Sequence, residues 1–513
     1  MQKADDHLLK ISLSRRIFIS TLLLVLFLFG IFTVHRLQAT KNPYGLCPDC
    51  NVILISVDTL RADHLPCYGY PRDTAHFICK FAEDGIIFDN FIVQGYLTPI
   101  SMMSILTSQY PSRTGFTSFF SKLDISFPTL PELLHRHGYT SVAFGSCPEF
   151  MFKSPEYNMD LIQSFSKGYD RYEYTGYRTL PTDALTWLQS NYKNKFFLWL
   201  PIGTVHFPYA LHGNLEDKGK FDPPNYNGRF KSLAIVDFHK FLNRIYHNTY
   251  FIDASHAFAL TKEDHEYIIS KYDFGIYSTD IFIQELIEEL KKLNLLNKTI
   301  VIFHGIHGEE LEEHGFYGHY DVFDSEVKNA FIFYNPRMKN RMARISSQIQ
   351  GIDLLPTLLE TLNLPPLPQS QGKSVLPLLR GEEMKKRVAF IERTPLWEEI
   401  VVIWDKLYSK DFRDLVHSTA GETTHRDTAI RTNDWKLIHR TSRDIEKKIS
   451  WWKFISGIPA NRAEYELYNL QNDPSELKNV YDENPLIAEQ LKNQLLSWEN
   501  QFPLYTNLQQ ASK

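Results

Sequence analysis

A carboxylate, that of Asp58, lies at the end of an apolar run about 50 residues into the chain. Asn51 to Val57 has the composition of a buried strand, and Asp58 follows it directly. Open α/β sheets bind ligands at the carboxyl ends of their strands, and a carboxylate there can hold a cation. Asp58 on its own is equally typical of a turn or a helix cap.

A second candidate is a hydroxyl group. Thr98 precedes a proline in the run Thr98-Pro-Ile-Ser-Met102, a pattern typical of a helix start. There its oxygen faces unpaired N–H groups and the positive end of the helix dipole, a setting that favours a nucleophile attacking a phosphate or a sulfate. The alternative is an ordinary threonine N-cap.

Histidines form the third group. His304, His307, His314 and His319 lie close together in sequence among glycines that permit tight turns, and this density is more typical of ligands than of isolated core histidines. A solvated loop with unrelated histidines is the alternative. His206 also follows an apolar run, and alone it is more typical of a hydrogen-bonded core histidine.

The segments that must position these residues alternate between short apolar runs and amphipathic stretches, which indicates βαβ units around a largely parallel sheet. The predicted strands are Asn51–Val57, Ser141–Ser146, Phe196–Ile202, Thr299–His304 and Ala330–Tyr334.

The longest predicted helix begins at a capping-box-like Thr261 and ends near Asn294, and its apolar positions recur with helical spacing.

After a proline-rich break the pattern changes. Strands at 429–431 and 435–439 and a closing helix at 485–500 predict a second, smaller domain, with the boundary near Leu379.

The composition is that of a folded protein. The chain has 513 residues, of which 43% are hydrophobic and 22% are charged, and its net charge is −5. The length leaves room for two to four domains, and the negative net charge gives no overall attraction for nucleic acid.

Five cysteines are too few for a disulfide scaffold. Cys47 and Cys50 lack the second ligand pair of a zinc site, so they form either a local disulfide or two free thiols.

Residues 17–34 are an uncharged apolar run, about long enough to cross the ~30 Å core of a bilayer. Four basic residues precede it, Lys3, Lys10, Arg15 and Arg16, and by the positive-inside rule they keep the N-terminus in the cytoplasm. The sequence thus predicts a cytoplasmic tail (1–16), a signal anchor (17–34), a linker (35–50) and an ectodomain that is periplasmic, lumenal or extracellular. A cleaved signal peptide is the alternative.

Six motifs, in order along the chain, resemble the sulfatase family of the alkaline phosphatase-like superfamily. They are Asp58-Thr-Leu-Arg-Ala-Asp-His, Tyr68-Gly-Tyr-Pro, Leu106-Thr-Ser-Gln-Tyr-Pro, His307-Gly-Glu-Glu-Leu-x-Glu-His-Gly, Asp353-Leu-Leu-Pro-Thr-Leu-Leu and Glu466-Leu-Tyr-x-Leu-x-x-Asp-Pro. The resemblance implies an α/β fold with a large, mostly parallel central sheet flanked by helices (51–379) and a smaller C-terminal sheet subdomain (380–505).

The resemblance also implies roles for individual residues. Asp58 and His307 match metal ligands and Thr98 matches the nucleophile, while the substrate-facing histidines correspond to His206, His314 and His319. The implied cofactor is a divalent metal ion: calcium, magnesium, manganese or zinc.

The chain departs from the family pattern at four positions. Thr98 replaces the Cys or Ser that sulfatases oxidise to formylglycine, Met102 replaces an arginine, and Thr59 stands where many members have a second aspartate. Ile306 replaces the aspartate of the Asp-His-Gly motif and supplies no anionic ligand. A rearranged ligand set that uses His304, Glu309 or Glu310 would have to replace the lost aspartate, and the family pattern does not support one. We therefore expect the metal ion to be bound weakly or to have been lost.

The sequence therefore predicts a membrane-anchored, extracytoplasmic, metal-dependent hydrolase or transferase of sulfate or phosphate esters, with Thr98 as the nucleophile. Threonine nucleophiles occur in relatives that resemble phosphoethanolamine and phosphoglycerol transferases. The expected partner is a small-molecule, glycan or lipid ester. Because of Ile306, a non-catalytic sulfatase-like pseudoenzyme or binding protein is the alternative.

Overall fold

The architecture is that of a computed structural model, which describes residues 45–117, 121–145, 155–207, 209, 219–228, 230–231, 261–338, 343–394, 426–441 and 462–502. The strands are β1 Asn51–Val57, β2 Ile86–Ile92, β3 Thr140–Gly145, β4 Arg171–Tyr174, β5 Phe196–Ile202, β6 Thr299–Gly305, β7 Glu310–Leu311, β8 Tyr317–Gly318, β9 Lys328–Tyr334, β10 Ala343–Ile345, β11 Ile349–Gln350, β12 Ala389–Arg393, β13 Asp427–Arg431, β14 Trp435–His439 and β15 Tyr465–Asn469.

The helices are α1 His76–Ala82, α2 Thr98–Thr107, α3 Pro111–Thr114, α4 Leu130–Arg136, α5 Pro155–Ser166, α6 Gly176–Asn191, α7 Lys262–Lys292, α8 Asp324–Val327, α9 Leu354–Thr361, α10 Leu376–Leu379 and α11 Pro485–Gln501.

Within the described residues the large sheet has nine strands, in the order β10-β2-β9-β6-β1-β5-β3-β4, and β11 also pairs with β2. Its centre is parallel: β1 lies between β5 and β6, and every residue of the three strands is buried. This burial on both faces explains their continuous apolar sequences. The three strands end at one edge, which places the residues after Val57, Ile202 and Gly305 near one another.

The expectation of a mostly parallel sheet is confirmed, with one exception that makes the sheet mixed. β9 runs antiparallel to both β6 and β2, whereas the other neighbouring strands of this sheet pair in parallel. A parallel return requires a crossover that carries the chain back to the opposite edge of the sheet. Between β6 and β9 the chain has only the short β7–β8 hairpin and α8, so β9 begins at the edge where β6 ends.

The long helix α7 confirms its predicted start. Thr261 caps it, and the Thr261 side chain accepts a hydrogen bond from the backbone N–H of Asp264. Its predicted stripe, Ile283, Leu286, Ile287 and Leu290, is buried in the main core, and the helix ends at Lys292.

The C-terminal sheet is antiparallel, in the order β12-β13-β14-β15. The predicted strand pair corresponds to β13 and β14. Leu491, Leu495 and Trp498 of α11 are buried with the apolar face of this sheet, as expected. The predicted boundary falls where α10 ends.

Two disulfides are present in the described part of the chain. Cys47–Cys50 is one of the two predicted alternatives, whereas Cys67–Cys79 was not anticipated. The predicted anchor at 17–34 lies outside the described residues. In the ranges described, no helix combines the length and the apolar character needed to cross a bilayer.

Candidate functional site

Thr98, Asp58 and His307 meet in direct contact, as expected from the strand ends. Thr98 Oγ1 lies 3.0 Å and 3.2 Å from the two carboxylate oxygens of Asp58 and 3.0 Å from His307 Nε2. His307 Nε2 is 3.1 Å from Asp58 Oδ1. The three residues are buried, with exposed fractions of 0–2%. A hydroxyl is therefore held between a carboxylate and an imidazole.

Backbone hydrogen bonds fix this triangle. The Asp58 N–H donates to Ile202 O of β5 at 2.8 Å, and the Ile306 N–H donates to Val57 O of β1 at 2.8 Å. The Ser101 hydroxyl on α2 then donates to Ile306 O at 2.5 Å. The elements that carry Asp58, Thr98 and His307 are thus tied to one another directly beside the site.

Thr98 does not cap α2. Leu97 occupies the N-cap position, and no side chain there makes a capping hydrogen bond. Thr98 is the first helical residue, and its hydroxyl is directed to Asp58 and His307. The N-cap alternative for Thr98 is therefore wrong.

The proton positions follow from the hydrogen-bond partners. His307 Nδ1 lies 2.9 Å from Gly308 O, and because a carbonyl only accepts, Nδ1 carries a hydrogen. Burial by itself would raise the pKa of Asp58, but His307 above all, with His206 and His319, lowers that pKa to about 2. Asp58 is then ionised at neutral pH. An ionised carboxylate only accepts hydrogen bonds, so the Thr98 hydroxyl donates to Asp58.

His206 and His319 complete the cluster. The ring centroids of His319 and His307 are 4.5 Å apart, and those of His319 and His206 are 5.3 Å apart. His206 Nδ1 donates to Phe207 O at 2.5 Å, which leaves its Nε2 for other partners. Burial, followed by the neighbouring His307 and His206, holds the pKa of His319 well below its ordinary value, so this ring is neutral.

Glu309 belongs to the same cluster, although the sequence suggested it only as a substitute ligand. Its Oε1 is 3.5 Å from His319 Nδ1, and the side chain is fully buried. Among the described residues neither carboxylate oxygen accepts a well-aligned hydrogen bond. Burial raises the pKa of Glu309 to about 7, an effect that His206, His307 and Tyr209 partly oppose. Its position directly after His307-Gly308 was the available sequence signal.

His314 lies apart from this cluster. Its Nδ1 is 3.0 Å from Glu310 Oε2, its Nε2 is 3.2 Å from Glu476 O, and its ring stacks on Phe323 at 3.6 Å. The β7–β8 hairpin explains the difference. His307 and His319 flank the base of the hairpin and meet, whereas His314 lies in the loop between its strands. A role for His314 in catalysis stays a prediction.

His304 has a structural environment. Its Nδ1 donates to Gly305 O at 2.9 Å, and its Nε2 accepts from the Ser56 hydroxyl at 2.7 Å. Ser56 in turn accepts from Trp199 Nε1 at 3.1 Å. Burial lowers the pKa of His304 to about 4, so it is neutral, as these hydrogen bonds require.

The donor set does not fit the divalent cation that the family pattern implies. Calcium and magnesium prefer several oxygen ligands, and Asp58 is the one carboxylate in the triangle. Ile306 is fully buried and aliphatic, and Thr59 Oγ1 is buried with no hydrogen-bond partner in the described part of the chain. In the ranges described, no three His, Cys, Asp or Glu side chains converge as ligands of one ion.

Comparisons with known proteins agree with the motifs. The family model described as Sulfatase matches residues 50–364. Arylsulfatase K of Mus musculus is 23% identical over 506 residues, covering 93% of this chain and 83% of the mouse protein. N-acetylglucosamine-6-O-sulfatase of Bacteroides thetaiotaomicron is 22% identical, covering 90% of this chain and 87% of that protein.

Solved structures give the same fold. A protein in complex with its substrate D-glucosamine-2-N,6-O-disulfate has a TM-score of 0.65 at 19% identity, covering 88% of this chain and 98% of that one. Phosphonate monoester hydrolase of Agrobacterium radiobacter also has a TM-score of 0.65, at 18% identity, covering 90% of this chain and 97% of the hydrolase. The fold is the α/β alkaline phosphatase-like fold, with a large mixed sheet and a C-terminal antiparallel sheet.

Proposed function

We propose that this chain, which belongs to the Sulfatase family, binds a sulfate or phosphate ester and attacks it with the Thr98 hydroxyl. The observation that carries the proposal is the position of Thr98 Oγ1, 3.0 Å from both Asp58 and His307. A nucleophile beside a carboxylate and an imidazole is the arrangement that covalent catalysis requires.

In the proposed reaction, Thr98 Oγ1 forms a bond to the phosphorus or sulfur atom, and the ester oxygen of the leaving alcohol departs. The Thr98 proton passes to Asp58, which accepts it in the resting arrangement. His206, whose Nε2 is left for other partners, donates a proton to the leaving oxygen. Water, or an acceptor hydroxyl, then releases the adduct from Thr98.

The reaction should be slow. Asp58, with its low pKa, is a weak base. Met102 is buried at the position of the family's arginine, and loss of one group that stabilises transition-state charge commonly lowers the rate about 100- to 1000-fold. Because threonine is not converted to formylglycine, we expect phosphodiesters or phosphomonoesters to react before sulfate esters.

The second candidate function is oxyanion-ester binding without turnover. The buried Ile306 favours it, since this side chain supplies neither a ligand nor a charge. Members of the family generally use a divalent metal ion, and we propose that this chain binds one weakly at best. The sulfated sugars named for two of the relatives make a glycan ester a reasonable substrate class.

We also propose that the chain is a single-pass membrane protein, with the site outside the cytoplasm. The support is the uncharged run at 17–34 and the basic residues before it.

The test is hydrolysis of nitrophenyl phosphate, phosphodiester and sulfate substrates by the detergent-solubilised full chain. Thr98→Val removes the hydroxyl at nearly constant shape and should abolish turnover, whereas Thr98→Ser should retain part of it. Thr107→Val is the matched control, because the Thr107 hydroxyl on the same helix bonds only the backbone of Met103 among the described residues.

A sulfatase rate above both phosphatase rates, lost in Thr98→Val, would overturn the expected substrate order. Binding of orthovanadate that Thr98→Val weakens, without turnover of any substrate, would establish the non-catalytic candidate. Turnover that Thr98→Val leaves unchanged would reject Thr98 as the nucleophile.

A further inference from the structure

We infer that the C-terminal sheet positions His319 in the candidate site, and that Arg393 and Arg440 are the positioning residues. The effect of this positioning on catalysis rests on the proposed function, whereas the positioning itself does not. The segment that is held consists of residues 319–327, which follow β8, include α8 and lead into β9. We call this segment the strap.

The His319 ring lacks, at Nδ1 and among the described residues, the hydrogen bond that orients the other two histidines of the cluster. His206 and His307 each donate Nδ1–H to the next carbonyl along the chain. The Nδ1 of His319 makes no hydrogen bond among the described residues, and the nearest carboxylate oxygen, Glu309 Oε1, is 3.5 Å away. The ring position therefore depends on the backbone that carries it.

That backbone is held by guanidinium groups from the C-terminal sheet. Arg393, the last residue of β12, donates from Nε to Tyr320 O at 2.6 Å and from Nη1 to Asp427 at 2.5 Å. Tyr320 directly follows His319, and its ring lies nearly parallel to the His319 ring, at an angle of 12°. Arg393 thus fixes the peptide unit next to the histidine.

Arg440, which follows β14, fixes the next residue of the strap. It donates from Nη1 to Asp321 Oδ1 at 2.5 Å and from Nη2 to Glu466 Oε2 at 2.9 Å. Arg462 contacts the other oxygen of Asp321. Arg393, Arg440 and Asp321 have exposed fractions of 0–2%, so solvent does not screen these pairs.

A planar guanidinium can serve two acceptors in fixed directions, whereas the lysine ammonium is a single point of charge. Arg393→Lys and Arg440→Lys should therefore keep the buried charge and loosen the strap. Arg462→Gln is a milder variant, because this side chain is 9% exposed. Arg426→Lys is the matched control: Arg426 bonds Glu392 at 3.1 Å in the same sheet but makes no contact with the strap among the described residues.

The first measurement is the rate at which diethylpyrocarbonate modifies His319 in the purified full chain, followed by mass spectrometry, with the exposed His137 as internal reference. We expect the rate to rise about tenfold in Arg393→Lys and Arg440→Lys, because a buried charge-assisted hydrogen bond limits local opening. Arg462→Gln should give a smaller rise and Arg426→Lys none. Circular dichroism identifies any variant that has not folded.

Unchanged rates in the three strap variants would overturn the inference, as would an equal rise in Arg426→Lys. If the rate rises as expected but the unmodified protein binds no orthovanadate and turns over no ester, the inference stands and the proposed function falls. If the protein is active, the strap variants should lower kcat more than they raise KM, whereas Arg426→Lys should change neither.

Discussion

At the scale of single residues, Ile306 is a fully buried aliphatic residue that directly precedes His307, and its backbone N–H bonds Val57, the residue before Asp58. Ile306→Asp should raise the affinity for calcium, magnesium, manganese or zinc by about tenfold or more, because one added carboxylate changes both ligand number and charge. Isothermal titration calorimetry on the full chain measures this directly. Ile306→Asn, of nearly the same shape but neutral, should give a much smaller gain.

Tight, stoichiometric metal in the unmodified chain would show that the ligand set has been misidentified. So would an Ile306→Asp variant that is folded and shows no gain in affinity.

His304 gives a pH prediction. Its folded pKa of about 4 lies below its ordinary value of 6.5, so the unfolded chain binds more protons between these values. The stabilising contribution is complete above pH 6.5 and is lost as the pH falls towards 4, with about 2 kcal/mol lost between pH 7 and pH 5. Urea unfolding of the native chain and of His304→Gln should show the smaller pH dependence in the variant. Equal pH dependence would mean that His304 does not titrate as assigned.

At the scale of elements, Gly275 lies in the middle of α7, where glycine normally destabilises a helix. A Cβ at this position would lie 2.7 Å from Thr204 O and 3.1 Å from Val205 Cα, in the turn that carries His206. The close approach explains the glycine.

Gly275→Ala should lower the free energy of unfolding by about 1–3 kcal/mol through overpacking, against a helix-propensity gain of about 1 kcal/mol. It should also lower any activity, because the His206 turn must move. Glu285→Ala, at an exposed position of the same helix, should leave both unchanged. Chemical denaturation with parallel assays tests both effects, and a Gly275→Ala variant as stable as the native chain would contradict the packing argument.

The sequence predicted some elements better than others for physical reasons. β1 and β5 have the predicted limits because both are continuous apolar runs buried on two faces. The direction of β9 depends on the path of the preceding loop, which no local periodicity records. The Asp58–Thr98–His307 contact followed from strand ends that share one edge, whereas the separation of His314 depends on the β7–β8 hairpin. The burial of the Glu309 carboxylate without a hydrogen bond from the described residues is a tertiary feature and could not be predicted.

At the scale of the whole molecule, the proposed anchor gives a prediction that does not depend on catalysis. The native chain should stay in the membrane pellet after an alkaline carbonate wash. Leu23→Arg with Leu26→Arg should release it, since each arginine near the middle of a spanning helix costs about 2.5–3.5 kcal/mol. Leu23→Ile with Leu26→Ile should remain in the pellet. Release of the native chain by the wash would exclude a retained anchor.

The strap also has a consequence for biosynthesis. Every candidate site residue has been synthesised once the ribosome passes His319, but the guanidinium groups that contact Tyr320 and Asp321 belong to residues 393, 440 and 462. Until those residues emerge, Asp321 has no cation from the C-terminal sheet and His319 lies on an unanchored segment. A nascent chain released after residue 380 therefore contains the complete candidate site in its sequence without being able to assemble it. Frameshift and nonsense alleles that end the chain between residues 380 and 393 should accordingly behave as complete losses of function.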